Sequence, residues 1–301
     1  MNRLQHFIRA VILAAFAIFF VSLHYSGDIM KYINPKYDIF SKIAAILFIV
    51  FFIIQIFRIW ENPQNQHEHC PPGCTHDHGY SASLPKKVLS YFILVFPLLT
   101  GFAFAPTVLN SSIAENKGTI LPQANNAAEK EKAVDDPTIS NNQYIDPSIQ
   151  NHETAQPRYH ILSTEEYDSE IQKLKESEVI VMEDTIYEPY YGEINMNLSE
   201  YIGRKIKVVG FVYREEGLAD NQLVISRFLI SHCIADASIV GFLSEFPEAK
   251  DLKQDTWIEM EGIIEATTYN GVEIPIIKPE NWKQIEQPSI PYIYPILQKV
   301  E

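Results

Sequence analysis

Two short stretches carry side chains able to do coordination or thiol chemistry. The first is His67-Glu68-His69-Cys70-Pro71-Pro72-Gly73-Cys74-Thr75-His76-Asp77-His78, which gathers four of the nine histidines and two of the three cysteines of the chain. Imidazole nitrogen and thiolate sulfur are the donors that borderline and soft metal ions prefer, and Pro-Pro-Gly is turn chemistry that lets Cys70 and Cys74 converge. His67, His69, Cys70, Cys74, His76 and His78 are therefore candidate ligands for zinc or another divalent transition metal. Their spacing is not that of a zinc finger, and no helix or hairpin signal flanks them. A loose acquisition or sensing loop is expected rather than a rigid structural site. The same composition also suits a solvated polar loop with no dedicated role.

The second stretch is Arg227-Phe228-Leu229-Ile230-Ser231-His232-Cys233-Ile234-Ala235-Asp236-Ala237, where a strand leaves a sheet and a helix is expected to begin. His232, Cys233 and Asp236 offer one nitrogen, one sulfur and one oxygen ligand, enough for an open metal site and one short of a closed tetrahedral one. The competing readings are a small core cysteine beside a hydrogen-bonded histidine. A thiol enzyme centred on Cys233 is a weaker alternative: the sequence has no G-x-S-x-G, no Gly-rich loop after a strand and no H-E-x-x-H. No catalytic or cofactor-binding residue is assigned, and the chain is expected not to be an enzyme.

The elements that must position these stretches are of two kinds. An apolar stretch runs from Phe7 to Tyr25, with Arg3 and Arg9 at its N-terminal end, and a second from about Phe40 to Trp60. Lys42 can snorkel to the interface, and Trp60 sits where an aromatic belt residue belongs. A third, from about Val88 to Leu109, contains Pro97, Gly101 and Pro106, which membrane helices tolerate when neighbours satisfy the freed backbone groups. Three transmembrane helices are expected, at about 7–25, 40–60 and 88–109, each long enough at 1.5 Å per residue for a hydrocarbon core of about 30 Å. The first suits an uncleaved helix better than a secretory signal, since no clean small-x-small cleavage site follows it. Basic residues favour a cytoplasmic N-terminus: Arg3, Arg9, Arg58, Lys86 and Lys87 stand against Lys31, Lys36 and Lys42. The loop 61–87 then faces the cytoplasm, where thiols stay reduced. Inverted, Cys70 and Cys74 could form a small disulfide ring instead.

Residues 110–157 turn to Asn, Ala, Glu, Lys, Ser, Gln and Pro, a composition that buries too little apolar surface to offset its conformational entropy, and a flexible polar linker is expected there. Residues 158–301 form the soluble domain. They carry 13 Lys plus Arg against 26 Asp plus Glu; such acidity argues against nucleic acid as a partner and equally suits solubility alone. Ser163, Thr164 and Glu166 mark a helix start. Strands are expected at 179–182, 205–213, 223–230, 256–264 and 272–277, the last two joined by a hairpin at Asn270-Gly271, where Asn-Gly supplies the positive φ angles of a type I′ turn. Gly210 and Gly262 interrupt strands as glycines do at barrel corners. With a helix expected at Ala237–Phe246, between the third and fourth strands, the pattern suggests a small OB-like β-barrel. The expected fold class is thus membrane-anchored α plus β: three transmembrane helices, a disordered stalk and the OB-like barrel.

Taken together, the apolar spans, the polar stalk, Gly203-Arg204-Lys205-Ile206-Lys207-Val208-Val209-Gly210-Phe211-Val212-Tyr213, the Arg227–Ala237 segment and Gly241 resemble the bacterial YcgQ family over nearly the whole chain. The membrane half matches in layout only. The resemblance implies an accessory membrane subunit paired with a multi-spanning YcgR-type permease. In the family pattern two adjacent cysteines commonly occupy the place of His232 and Cys233. Imidazole in place of one thiol keeps metal-ligand capacity but removes a vicinal dithiol. The expected function is a non-enzymatic permease subunit in the bacterial cell membrane, multi-pass, with zinc or another divalent metal as its ion and the C-terminal domain extracytoplasmic. The alternative is a membrane-tethered extracytoplasmic binding module with no transport role.

Overall fold

The computed structural model describes residues 3–60, 84–104, 107–117 and 161–299. They fall into two compact units, Met1–Thr107 and Val108–Glu301. The candidate ligands His67, His69, Cys70, Cys74, His76 and His78 lie outside the described residues, as does most of the expected linker.

In the first unit, α1 (Arg3–Ser26) and α2 (Asp38–Trp60) form an antiparallel hairpin. Polar contacts join the helices near both ends. Gln55 Nε2 lies 2.7 Å from His6 Nδ1 and donates to His6 O at 3.2 Å. At the turn, His24 reaches Asp38 (3.2 Å) and Ser41 (3.1 Å), and Lys42 adds an ion pair to Asp38 at 2.6 Å. Between them the seam is aromatic, with the Phe48 ring stacked on Phe16 and Phe20 at 5.0 and 5.7 Å. The outward side chains, among them Phe7, Ile18, Val21, Ile46, Phe51 and Phe57, are large, apolar and exposed. Such a surface is stable only if something other than water covers it.

Two stretches, His6–Ser26 and Pro35–Trp60, are long and apolar enough to cross a membrane. The third helix, α3 (Leu84–Ala103), has Pro97 inside it and meets α1 where Gly101 approaches the Phe19 ring, since a Cβ there would stand 2.8 Å from that ring. Its apolar stretch Leu89–Ala103 covers about 22 Å, less than the expected span 88–109. The difference lies at the C-terminal end, because Leu109 is buried in the second unit instead.

That second unit begins earlier than its composition suggests. Residues 108–117, read above as the end of a span and the start of a linker, pack on the sheet domain. Leu109 and Ala114 enter an apolar cluster with Phe211, Phe228, Trp257 and Tyr292. Ser111, the first residue of α4 (Ser111–Lys117), donates its N–H and its hydroxyl to the Asp255 carboxylate at 2.7 and 2.8 Å. Low overall hydrophobicity hides two well-placed apolar residues and a serine that anchors the segment to Asp255.

The domain proper starts with β1 (Ile161–Ser163) and α5 (Thr164–Glu176), opened by the expected capping box between Ser163 and Glu166. Then come β2 (Val179–Val181), α6 (Tyr187–Met196), β3 (Lys205–Tyr213), β4 (Gln222–Leu229), β5 (Ser238–Glu245), β6 (Trp257–Tyr269), β7 (Val272–Gln284), β8 (Tyr292–Ile293) and β9 (Leu297–Lys299). β1 and β9 pair by themselves; the other strands run in the order β2-β3-β6-β7-β5-β4-β8. Because β3 also pairs with β4, the five strands β3, β6, β7, β5 and β4 close into a ring, with β5 and β7 parallel and the other four pairings antiparallel. Asn270 (φ 48) and Gly271 (φ 82) make the expected hairpin turn between β6 and β7.

One expected element is corrected. Ala237–Phe246, read as a helix, is strand β5, registered against β4 over eight residue pairs. Its Ile239, Val240 and Phe242 suit a pleated, two-sided surface better than a helix. Gly241 is needed there for close approach, as a Cβ would lie 2.5 Å from the Ile225 carbonyl oxygen.

Candidate functional site

Where β4 ends, the chain enters a short 3₁₀ turn, Ile234–Asp236. The Asp236 carboxylate accepts from the backbone N–H of His232 (2.8 Å) and of Cys233 (3.2 Å), and the His232 ring Nδ1 lies 2.8 Å from the same carboxylate. His232 is exposed, and Cys233 is a half-exposed free thiol. The structure therefore brings His232 and Asp236 together and attaches Cys233 through its backbone. Among the described residues, no group of three His, Cys, Asp or Glu side chains is placed to hold a metal ion. Asp236 acts as the turn's cap, a role that short polar residues commonly take.

Burial works to raise the Asp236 pKa, but the hydrogen bonds from His232 and from the two backbone N–H groups outweigh it and hold the group below its ordinary 3.8. A carboxyl with a depressed folded pKa contributes stability above its unfolded value and loses it as pH falls through the folded one. The turn should thus be intact at neutral pH and loosen below about pH 4. His232→Ala is expected to move the Asp236 titration back up towards the ordinary value, as read by carboxyl ¹³C NMR. An unmoved titration would remove the imidazole from the turn's electrostatics.

The more unusual group is Arg227, on β4, which is 1% exposed. Two other arginines serve as backbone clamps. Arg204 donates to Leu174 O at the end of α5, and Arg214 donates to the carbonyls of Gln222, Ala249 and Leu252. Arg227 differs because it holds a carboxylate, with Nη1 2.7 Å from Asp184 Oδ1. Nη1 also donates to Val209 O at 3.4 Å, Nε donates to Pro291 O at 3.2 Å, and the guanidinium lies over the Trp257 ring at 5.4 Å.

Two donors in this region remain over. Arg227 Nη2 and the Tyr187 hydroxyl are both fully buried and have no hydrogen-bond partner among the described residues. Burial pushes the Tyr187 phenol up from its ordinary value; the Arg227 charge opposes this, while Tyr191 and Asp184 add to it. Tyr294 is raised by burial too, with Tyr292 and Asp184 reinforcing it and Arg227 opposing. Tyr191 is pushed up to about 12, chiefly by burial. These phenols are protonated at any physiological pH. Sequence reading quoted Arg227 without giving it a role. The available signal was a single charge in a strand that is apolar apart from Ser226, Leu223-Val224-Ile225-Ser226-Arg227-Phe228-Leu229.

Fold and site define a two-part chain: an apolar helical N-terminal part, and an acidic α plus β domain with a buried arginine at its centre. Each part matches its own family model, the DUF1980 N-terminal domain over residues 8–120 and the DUF1980 C-terminal domain over residues 160–295. The chain is 30% identical over 299 residues to the UPF0703 protein YcgQ of Bacillus subtilis, spanning 95% of this chain and 98% of that one. The chain belongs to the YcgQ family. It is also 26% identical over 290 residues to a protein of Streptococcus mutans serotype c named "Putative two-component membrane permease complex subunit", with 95% and 98% of the two chains covered. A solved structure of OBody NL8 bound to hen egg-white lysozyme aligns with 28% of this chain and 98% of its own, at 14% identity and a TM-score of 0.19, too low to bear on the fold.

Proposed function

We propose that this chain is the non-enzymatic accessory subunit of a two-component membrane permease, and that its companion is a multi-spanning YcgR-type permease in the same bacterial membrane. The observation that carries this reading is end-to-end similarity to the Streptococcus mutans protein of that name, in a chain whose N-terminal hairpin exposes an apolar surface to its surroundings. In this reading α1, α2 and α3 all insert. α3 is shorter in apolar length and carries Pro97 in its interior, as suits a helix packed against a partner. The ring-closed sheet is an OB-like barrel, held extracytoplasmically, and the N-terminus is cytoplasmic. The solute is zinc or another divalent metal, gathered by His67, His69, Cys70, Cys74, His76 and His78. Coordination there requires neutral imidazoles and thiolates, so binding weakens as pH falls.

Two measurements on the full chain test this. Six donors suffice for one four-coordinate ion, so the purified protein should retain zinc at micromolar levels. The variant with all six loop ligands changed to Ser or Ala should lose it. Equal retention ends the metal reading. Affinity purification from membranes should bring the permease with this chain; recovery without it favours the tethered binding module. In a Cys70→Ser, Cys74→Ser background, an impermeant maleimide should label Cys233 from outside intact cells, and labelling only after lysis would place the domain in the cytoplasm.

A further inference from the structure

We infer that residues 108–117 are a latch that opens without unfolding of the sheet, and that its opening lengthens the connection between α3 and the sheet domain. Leu109 follows Ala103, the last residue of α3, by six positions along the chain, whereas Ile161, the first residue of β1, follows it by 58. While the latch is docked, the six-residue connection governs. Once it is released, only the longer one remains. The N-terminal family model runs to residue 120 and the C-terminal one starts at residue 160, so the latch goes with the helical part in sequence and with the sheet in its contacts.

The way the segment is held allows this. The bonds from Leu109, Ser111 and Lys117 each use a side chain: Leu109 N–H donates to the Tyr292 hydroxyl at 3.0 Å, Ser111 donates twice to Asp255, and Lys117 Nζ donates to Ala235 O at 3.0 Å. Leu109, Ser111 and Ala114 are buried, while Asn110, Ser112, Glu115 and Lys117 are exposed. β4, by contrast, is held by an eight-pair ladder with β5 and by pairing with β3 and β8. Segments fastened by a few buried side chains open at a lower free energy than the strands of a core. Asp255, which receives Ser111, has φ 64, a left-handed conformation uncommon outside glycine. Such a residue persists only where the surrounding structure over-determines it. Its own N–H donates to Val212 O at 2.9 Å, at the end of β3, so the receiving carboxylate stays with the sheet when the latch leaves.

The test uses the full chain in detergent. Hydrogen exchange read by mass spectrometry should find the amides of 108–117 protected about tenfold or more over the unstructured-peptide rate, yet exchanging about a hundredfold or more faster than those of β4. Asp255→Asn keeps the size of the side chain, and asparagine tolerates the left-handed region. Losing the carboxylate's charge-assisted bonds to Ser111 should speed exchange in the latch roughly tenfold or more. Single-molecule energy transfer reads the connection itself, with dyes at Tyr25→Cys and Met196→Cys, positions 94% and 76% exposed, and with Cys70, Cys74 and Cys233 changed to Ser. Leu109→Asp should add a second transfer population absent from the parent chain, while protection of β4 in the same variant confirms a folded sheet. The inference is overturned if the latch exchanges at the rate of β4 or at the unstructured rate, if Asp255→Asn leaves its exchange unchanged, or if Leu109→Asp leaves the transfer distribution as it was.

Discussion

Asp184→Ala is expected to lower the stability of the sheet domain by about 2–3 kcal/mol, and adding Arg227→Met to the same chain is expected to restore most of that loss. The single change leaves a guanidinium that is 1% exposed without its 2.7 Å carboxylate. Breaking a buried ion pair costs about 3–5 kcal/mol when the remaining charge has nowhere to go. Asp184 is about half exposed, so water already shares in solvating this pair, and the cost falls at or below the lower end. Methionine fills the volume of the arginine stem and asks for no partner, which is why apolar replacement of a buried pair is often neutral. Denaturant unfolding followed by tryptophan emission measures both variants. A double variant no more stable than Asp184→Ala would mean that Arg227 acts through its bonds to Val209 O and Pro291 O rather than as a charge that must be paired.

Gly241→Val is expected to cost about 3 kcal/mol or more, at the top of the range for overpacked cores. A Cβ at Gly241 would lie 2.5 Å from Ile225 O, and one at Gly210 would lie 2.6 Å from Ser226 O. Both obstacles are backbone, so neither can rotate away. Gly241 on β5 and Gly210 on β3 thus close on the same two residues of β4 from its two neighbours, which is where the five-stranded ring is completed. Because they share those residues, Gly210→Ala and Gly241→Ala should not add. Gly192→Ala is the control: it lies within α6 with nothing inside 4 Å of the new Cβ, and it should gain about 0.5–1 kcal/mol from helix propensity alone. Equal effects at Gly192 and Gly241 would show that close strand approach is not what β5 requires of its glycine.

How much was legible before the structure depended on whether a signal was local. The Ser163–Glu166 capping box, the Asn270-Gly271 turn and strands such as Lys205–Tyr213 are written in adjacent residues, and the structure places them where their patterns fall. β5 was misread because Ala237 follows a capping Asp236, and a helix start looks the same from one side. Only pairing with β4 distinguishes the two. The contacts of Leu109, Ala114 and Ser111 were equally hidden, since their partners Tyr292 and Asp255 lie well over a hundred residues away.

The amino-acid sequence by itself determined that this chain has an apolar helical part and an acidic mixed domain, because hydrophobic periodicity and charge are properties of neighbours along the chain. It also placed nitrogen and sulfur donors together in one short stretch of sequence between apolar segments. Only the tertiary structure decided that five strands close on one another, that residues 108–117 belong to the domain, and that Arg227 lies buried against Asp184 and Trp257. Those outcomes depend on which distant groups burial forces together, and the cost of hiding a charge is set by its surroundings in space.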